Sequence, residues 1–175
     1  ASLSSPTIDV RVTSVTVFCT DPYSLTYYPD ESGPEVNAEN LLSEFNTWQN
    51  LNSTADHSML YSALDFQEQI LNYSFVANEA SVLQATFSNA KNANLVTHGL
   101  GHNLSLTHDG VGINGDCSSS AFVMNSYISD AVITEFSSCS NAAYSDYMQD
   151  TLKYDNIPTK DFFLDGLQIN YLGCD

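Results

Sequence analysis

Basic residues are nearly absent: four Lys and Arg stand against 21 Asp and Glu in 175 residues, a formal net charge of −17. A field of that sign repels a phosphate backbone and an anionic membrane surface, which argues against nucleic acid as a partner. It favours cationic partners and divalent ions, and it equally keeps an extracellular protein soluble. No run approaches the roughly 18–20 apolar residues of a membrane span, and no signal-peptide pattern opens the sequence. There is no internal repeat, no low-complexity segment and no C-x-x-C pair. Cysteine is held to four, Cys19, Cys117, Cys139 and Cys174. An even number at wide spacing suits two disulfides, and hence a secreted, extracellular chain, better than a thiolate metal site.

Apolar residues make up 43% of the chain and aromatic residues 11%, which supports a folded core. The length suits one domain over residues 1–175. Alternation at Ile8, Val10, Val12, Val15 and Val17 predicts a strand over 8–18 with a bulge at Thr13-Ser14. The Pro29–Pro34 stretch, with Asp21-Pro22 before it, reads as a loop. Asn37 is placed to cap a helix with Leu41, Leu42, Phe45 and Trp48 on one face. A polar turn over 50–56 leads to a strand over 57–66, and 69–76 with 81–87 form two strands or a hairpin. Leu95, Val96, Leu100 and Leu104 predict the buried stripe of a further helix, and 136–152 another, with Tyr144, Tyr147, Met148 and Leu152. Asn52-Ser-Thr and Asn72-Tyr-Ser are glycosylation acceptors in a secreted chain. Asn103-Leu-Ser matches too, but falls on a helix.

Histidine is also scarce, at four, yet three of them crowd into Thr97-His98-Gly99-Leu100-Gly101-His102-Asn103-Leu104-Ser105-Leu106-Thr107-His108-Asp109. Residues four apart share a helix face, so His98 and His102 offer two imidazole nitrogens to one ion. His108 reaches that ion only if the chain turns back after about residue 104. Three neutral imidazoles leave a fourth tetrahedral position open, as in a catalytic zinc site. The fourth histidine, His57, reads as structural or exposed.

The run resembles the metzincin zinc signature, and Asp109 after the third histidine narrows the resemblance to the adamalysin or reprolysin (ADAM-like) branch. Asp56-His57-Ser58-Met59-Leu60-Tyr61 resembles a strand motif of that branch, Cys117 to Cys139 with Met124 its Met-turn, and Phe136-Ser137-Ser138-Cys139-Ser140 the start of its last helix. The resemblance implies an α/β (α+β) fold with a twisted, mostly parallel sheet, packed helices, a zinc helix and a Met-turn. The usual first strand and first helix are expected to be absent or to have been trimmed away ahead of residue 1. It implies Zn²⁺ held by His98, His102 and His108, with Met124 as an apolar floor and Asp109 supporting the fold. It pairs Cys117 with Cys139, which leaves Cys19 for Cys174. In the family the neighbourhood of 69–76 and 81–87 carries the edge strand, on which an extended peptide lies.

Two positions depart from the signature. Gly99 stands where the general-base Glu belongs, and Ser105 where the turn Gly belongs. Glu79 and Asp116 are other carboxylates that a relocated base would need, without a positional argument for either. The expectation is therefore a secreted, zinc-binding pseudoprotease that acts by binding a peptide, protein or small-molecule ligand in the former substrate cleft. One alternative is a weakly active zinc metalloendopeptidase. A second is an acidic structural or storage protein of a secretion, without zinc and with surface carboxylates for Ca²⁺.

Overall fold

The computed structural model describes residue 3 and residues 10–31, 33–53, 55–118, 120–153 and 168–172. The chain is α/β, as expected. Its strands fall into three small sheets among the described residues, where one sheet was anticipated. Strand β1 (Ser14–Phe18) pairs in parallel with β8 (Gln168–Leu172). Because its pairing begins at Ser14, the expected strand is shortened; Val10 and Val12 are 64% and 68% exposed, and residues 8 and 9 lie outside the described set.

The stretch read as a loop is instead a hairpin of β2 (Tyr27–Asp30) and β3 (Gly33–Val36), with Pro29 opposite Pro34. Two prolines are tolerated because β2 is an edge strand and β5 (Asp65–Phe66) pairs with β3 only at Glu35 and Val36. Helix α1 (Ala38–Asn52) begins as expected, Asn37 accepting from the Asn40 N–H at 2.9 Å. Leu41, Leu42 and Phe45 are buried, and Trp48 is half-buried, stacked on Phe45.

The strand expected over 57–66 divides into β4 (Ser58–Ser62) and β5, which belong to different sheets. The break follows from Ser62, whose hydroxyl accepts from the Leu64 N–H at 3.1 Å and turns the chain. Of the two readings for 69–76 and 81–87 the hairpin is the one formed: β6 (Asn72–Ser74) and β7 (Ala80–Gln84) pair antiparallel, and β7 runs parallel to β4. In the order β4-β7-β6, the short β6 is an edge. Against this sheet pack α1 on one side and α2 (Asn89–Asn103) on the other, the latter carrying two of the three clustered histidines.

The buried face of α2 differs from the expected stripe. Leu95 is buried, but Val96 is 38% exposed and Asn94, His98, Gly99, Gly101 and Asn103 face inward. Polar side chains occupy that face because each has a partner. Asn94 Nδ2 donates to the Ser129 and Ala131 carbonyls, both at 2.8 Å, and its Oδ1 accepts from the Ile133 N–H at 3.0 Å. Helix α3 (Ser138–Lys153) starts where Ser137 caps the Ser140 N–H at 3.0 Å. Tyr144 is buried and joins Leu106, Val123 and Met124 in a second core, with Met148 against it.

Candidate metal centre

Helix α2 and the turn that follows it bring the histidines together. His98 and His102 stand one turn apart on α2, and the chain then reverses in a Schellman turn. The Leu106 N–H donates to the Gly101 carbonyl at 3.0 Å and the Ser105 N–H to the His102 carbonyl at 2.9 Å. Ser105 takes the left-handed residue of that turn, φ 70°. The reversal returns His108 to the helix face, so that its Nε2 lies 3.2 Å from both His98 Nε2 and His102 Nε2, which are 3.1 Å from each other.

The hydrogen bonds on the far side of the rings set the tautomers. His98 Nδ1 meets the Val123 carbonyl and His102 Nδ1 the Leu106 carbonyl, each at 2.8 Å. A carbonyl only accepts, so both Nδ1 atoms carry the proton and both Nε2 atoms present bare lone pairs to a common centre. Burial pushes the His98 imidazole down to about 3, helped by His102 and His108 beside it. His102 is lowered by burial and by His108, against the Leu106 carbonyl; His108 is lowered by burial, against the charge of Asp109. All three rings are therefore neutral near pH 7.

This donor set fits a tetrahedral ion. Bonds of about 2.0–2.1 Å from zinc to imidazole place neighbouring nitrogens about 3.3–3.4 Å apart, close to the observed triangle. Without a cation or proton at its centre, three converging lone pairs repel. Among the described residues, no other trio of His, Cys or carboxylate ligands converges in this way.

Around the triad, Met124 is fully buried beneath Gly101, where a Cβ would overlap its Sδ. The segment is held by the Asp109 N–H on the Met124 carbonyl at 2.9 Å and by the Cys117–Cys139 disulfide, which was expected from the resemblance. Cys19 is also disulfide-bonded; Cys174, its expected partner, lies outside the described residues. Asp109 is fully buried, its Oδ1 accepting from Ser137 Oγ at 2.6 Å and Ser140 Oγ at 3.4 Å. It thus ties the third histidine to the start of α3. Glu79 and Asp116 are exposed, and the charge of Glu79 acts on His57. Beside the triad lies a pocket of ≈ 320 Å³ lined by His102, Thr107, His108, Val111, Gly112 and Ile113, the last 93% exposed.

At position 99 the helix has no side chain, and the space is filled from outside. A Cβ on Gly99 would stand 2.5 Å from Asn72 Nδ2 and 3.2 Å from Ser74 Oγ. Asn72, read as a glycosylation acceptor, is partly buried and turns this amide toward the helix, its Nδ2 donating to the Leu95 carbonyl. Asn52 is exposed at the end of α1. Asn103 is buried with Nδ2 on the Phe75 and Ala80 carbonyls, and its Oδ1 meets His57 Nε2 at 2.6 Å. His57 is thereby structural. The anchoring roles of Asn94, Asn103 and Ser137 escaped the sequence reading; for Asn94 and Asn103 the available signal was a polar amide inside a helix, which costs propensity unless tertiary partners offset it.

The Reprolysin (M12B) family zinc metalloprotease model matches residues 30–154. A "Zinc metalloproteinase-disintegrin-like" protein of Cerberus rynchops is 28% identical over 118 residues, 61% of this chain and 19% of the relative. The chain thus corresponds to less than a fifth of that protein. With the family match over most of the sequence, and a histidine triad that could hold a metal in the fold to which that signature belongs, the chain belongs to the reprolysin family of zinc metalloproteases.

Proposed function

We propose that this is a secreted, zinc-binding reprolysin-type domain that has lost efficient proteolysis and works by binding a peptide, protein or small molecule in the former cleft. The observation that carries this reading is a complete three-imidazole donor set beside a residue, Gly99, that has no side chain. His98, His102 and His108 would hold the ion, and zinc, when bound, supplies polarisation of a carbonyl and acidification of water.

The rest of the chemistry falls to the chain. The Val123 and Leu106 carbonyls hold two ligands in the correct tautomer. Val111 and Ile113 offer apolar contact beside the triad, and the β6 edge offers main-chain pairing to an extended segment. What is missing is an acceptor for the water proton and a donor to the leaving amine, assistance worth about 10²–10⁴-fold. Asp109 does not serve, since it is fully buried, its Oδ1 held by Ser137 and Ser140 and its Oδ2 enclosed away from solvent without a hydrogen-bond partner. Glu79 and Asp116 are exposed, and the charges that act on the triad imidazoles are those of the other histidines and Asp109.

The test is elemental analysis of chelator-free protein together with a peptide-cleavage assay. About one zinc per chain, lost in His102→Ala, with cleavage at background, is the expected result. Cleavage at rates usual for active metalloproteases, abolished by chelator, would replace this reading with that of an enzyme. Absence of zinc after reconstitution would remove the metal from the function altogether. Among the described residues no helix is long and apolar enough to cross a membrane. Secretion is supported by disulfide bonding and by the family, and is checked by the presence of the chain in extracellular fluid.

A further inference from the structure

The lack of a base at position 99 involves a second element. Strand β6 lies against α2, and its alternation sends Asn72 and Ser74 toward the helix while Tyr73 packs against the core beneath α1. Asn72 Nδ2 donates to the Leu95 carbonyl at 3.2 Å, four residues before Gly99, and Asn72 Oδ1 accepts from Ser74 Oγ at 3.0 Å. The amide is thus fastened at both ends. It occupies the point from which any side chain at 99 would start, 2.5 Å from the Cβ position, with its own Cγ at 3.4 Å.

We propose that Asn72, braced by Ser74, is the residue that dictates glycine at position 99: it fills the room of the missing general base and locks the edge strand to the metal helix there. This rests on the reading of position 99 given above, but its content is the coupling between two elements. Asn72 can make way only by giving up both hydrogen bonds. A base therefore cannot be restored at 99 without also changing residue 72. The amide is a positioning residue and takes no part in chemistry.

The experiment is a double-mutant cycle on the full chain, read first as urea midpoints of zinc-free protein, which makes it independent of whether the domain binds metal or cleaves peptides. Alanine is a better helix former than glycine, so Gly99→Ala in an uncrowded helix raises stability. The expected result is that Gly99→Ala leaves the midpoint unchanged or lower in the natural chain and raises it in the Asn72→Ala background. Equal shifts in the two backgrounds would overturn the proposal. The second readout is chelator-sensitive peptide cleavage by zinc-loaded Gly99→Glu. Cleavage restored by Gly99→Glu alone, as strongly as by Gly99→Glu with Asn72→Ala, would also overturn it. Cleavage by the natural chain would refute the proposed function and leave the cycle intact.

Discussion

Ser105 carries the turn that makes the triad, and it does so in a conformation that suits glycine. A side chain at φ 70° costs on the order of 1 kcal/mol. Ser105→Gly is accordingly expected to stabilise the chain by about 1 kcal/mol, read as a higher urea midpoint; a lower midpoint would mean that the hydroxyl has an unrecognised stabilising role. The histidines add a pH dependence. All four are lowered, chiefly by burial, and His98 to about 3. Between the ordinary histidine value near 6.5 and that of the folded protein, the unfolded chain binds more protons, so stability falls as pH falls. Zinc-free protein should lose stability from about pH 6.5 to pH 5, above most carboxylate titration. His98→Asn should flatten the limb. A pH-independent midpoint across that window would show that the rings are not buried as neutral groups.

At the scale of elements, the site depends on how α2 is tied to its surroundings. Asn94 binds the 129–133 segment through three hydrogen bonds, while Asn103 binds the 75–80 turn and His57. Asn94→Ala removes all three of these partly buried hydrogen bonds, and a loss of about 2 kcal/mol is expected. Limited proteolysis should then nick the 125–135 segment, whereas cuts confined to other segments would show that Asn94 does not anchor it. The helices were largely legible beforehand. Asn37 with Leu41, Leu42 and Phe45 marks α1 by cap and periodicity, and the i, i+4 histidines mark α2. The hairpin of β2 and β3 was not legible, because its prolines signal a loop unless the partner strands are known. Nor was the break at Ser62, where a single hydroxyl decides that one apolar run enters two sheets.

For the whole molecule, the excess of carboxylates is the dominant feature, with Lys91 and Asp130 an ion pair at 3.3 Å. Mutual repulsion disfavours the compact state, and salt shortens its reach from about 30 Å at 0.01 M to about 8 Å at 0.15 M. The urea midpoint should therefore rise with NaCl over that range, and a flat response would place the charges too far apart to matter. Cysteine usage pointed to a disulfide-bonded chain, and the three-histidine run, through its resemblance to the reprolysin signature, implied an α/β chain of that kind with Gly99 in place of the base. They could do so because ligand spacing and hydrophobic period are local properties of the chain. Only the tertiary structure decided that Val96 faces out and Asn94 in, that Asp109 is spent on α3, and that Asn72 fills the space beside Gly99. The last three depend on partners between 27 and 39 residues away in sequence, as the pairs Asn72–Gly99, Asp109–Ser137 and Asn94–Ile133 illustrate. No local pattern records which atom a buried amide or carboxylate will meet.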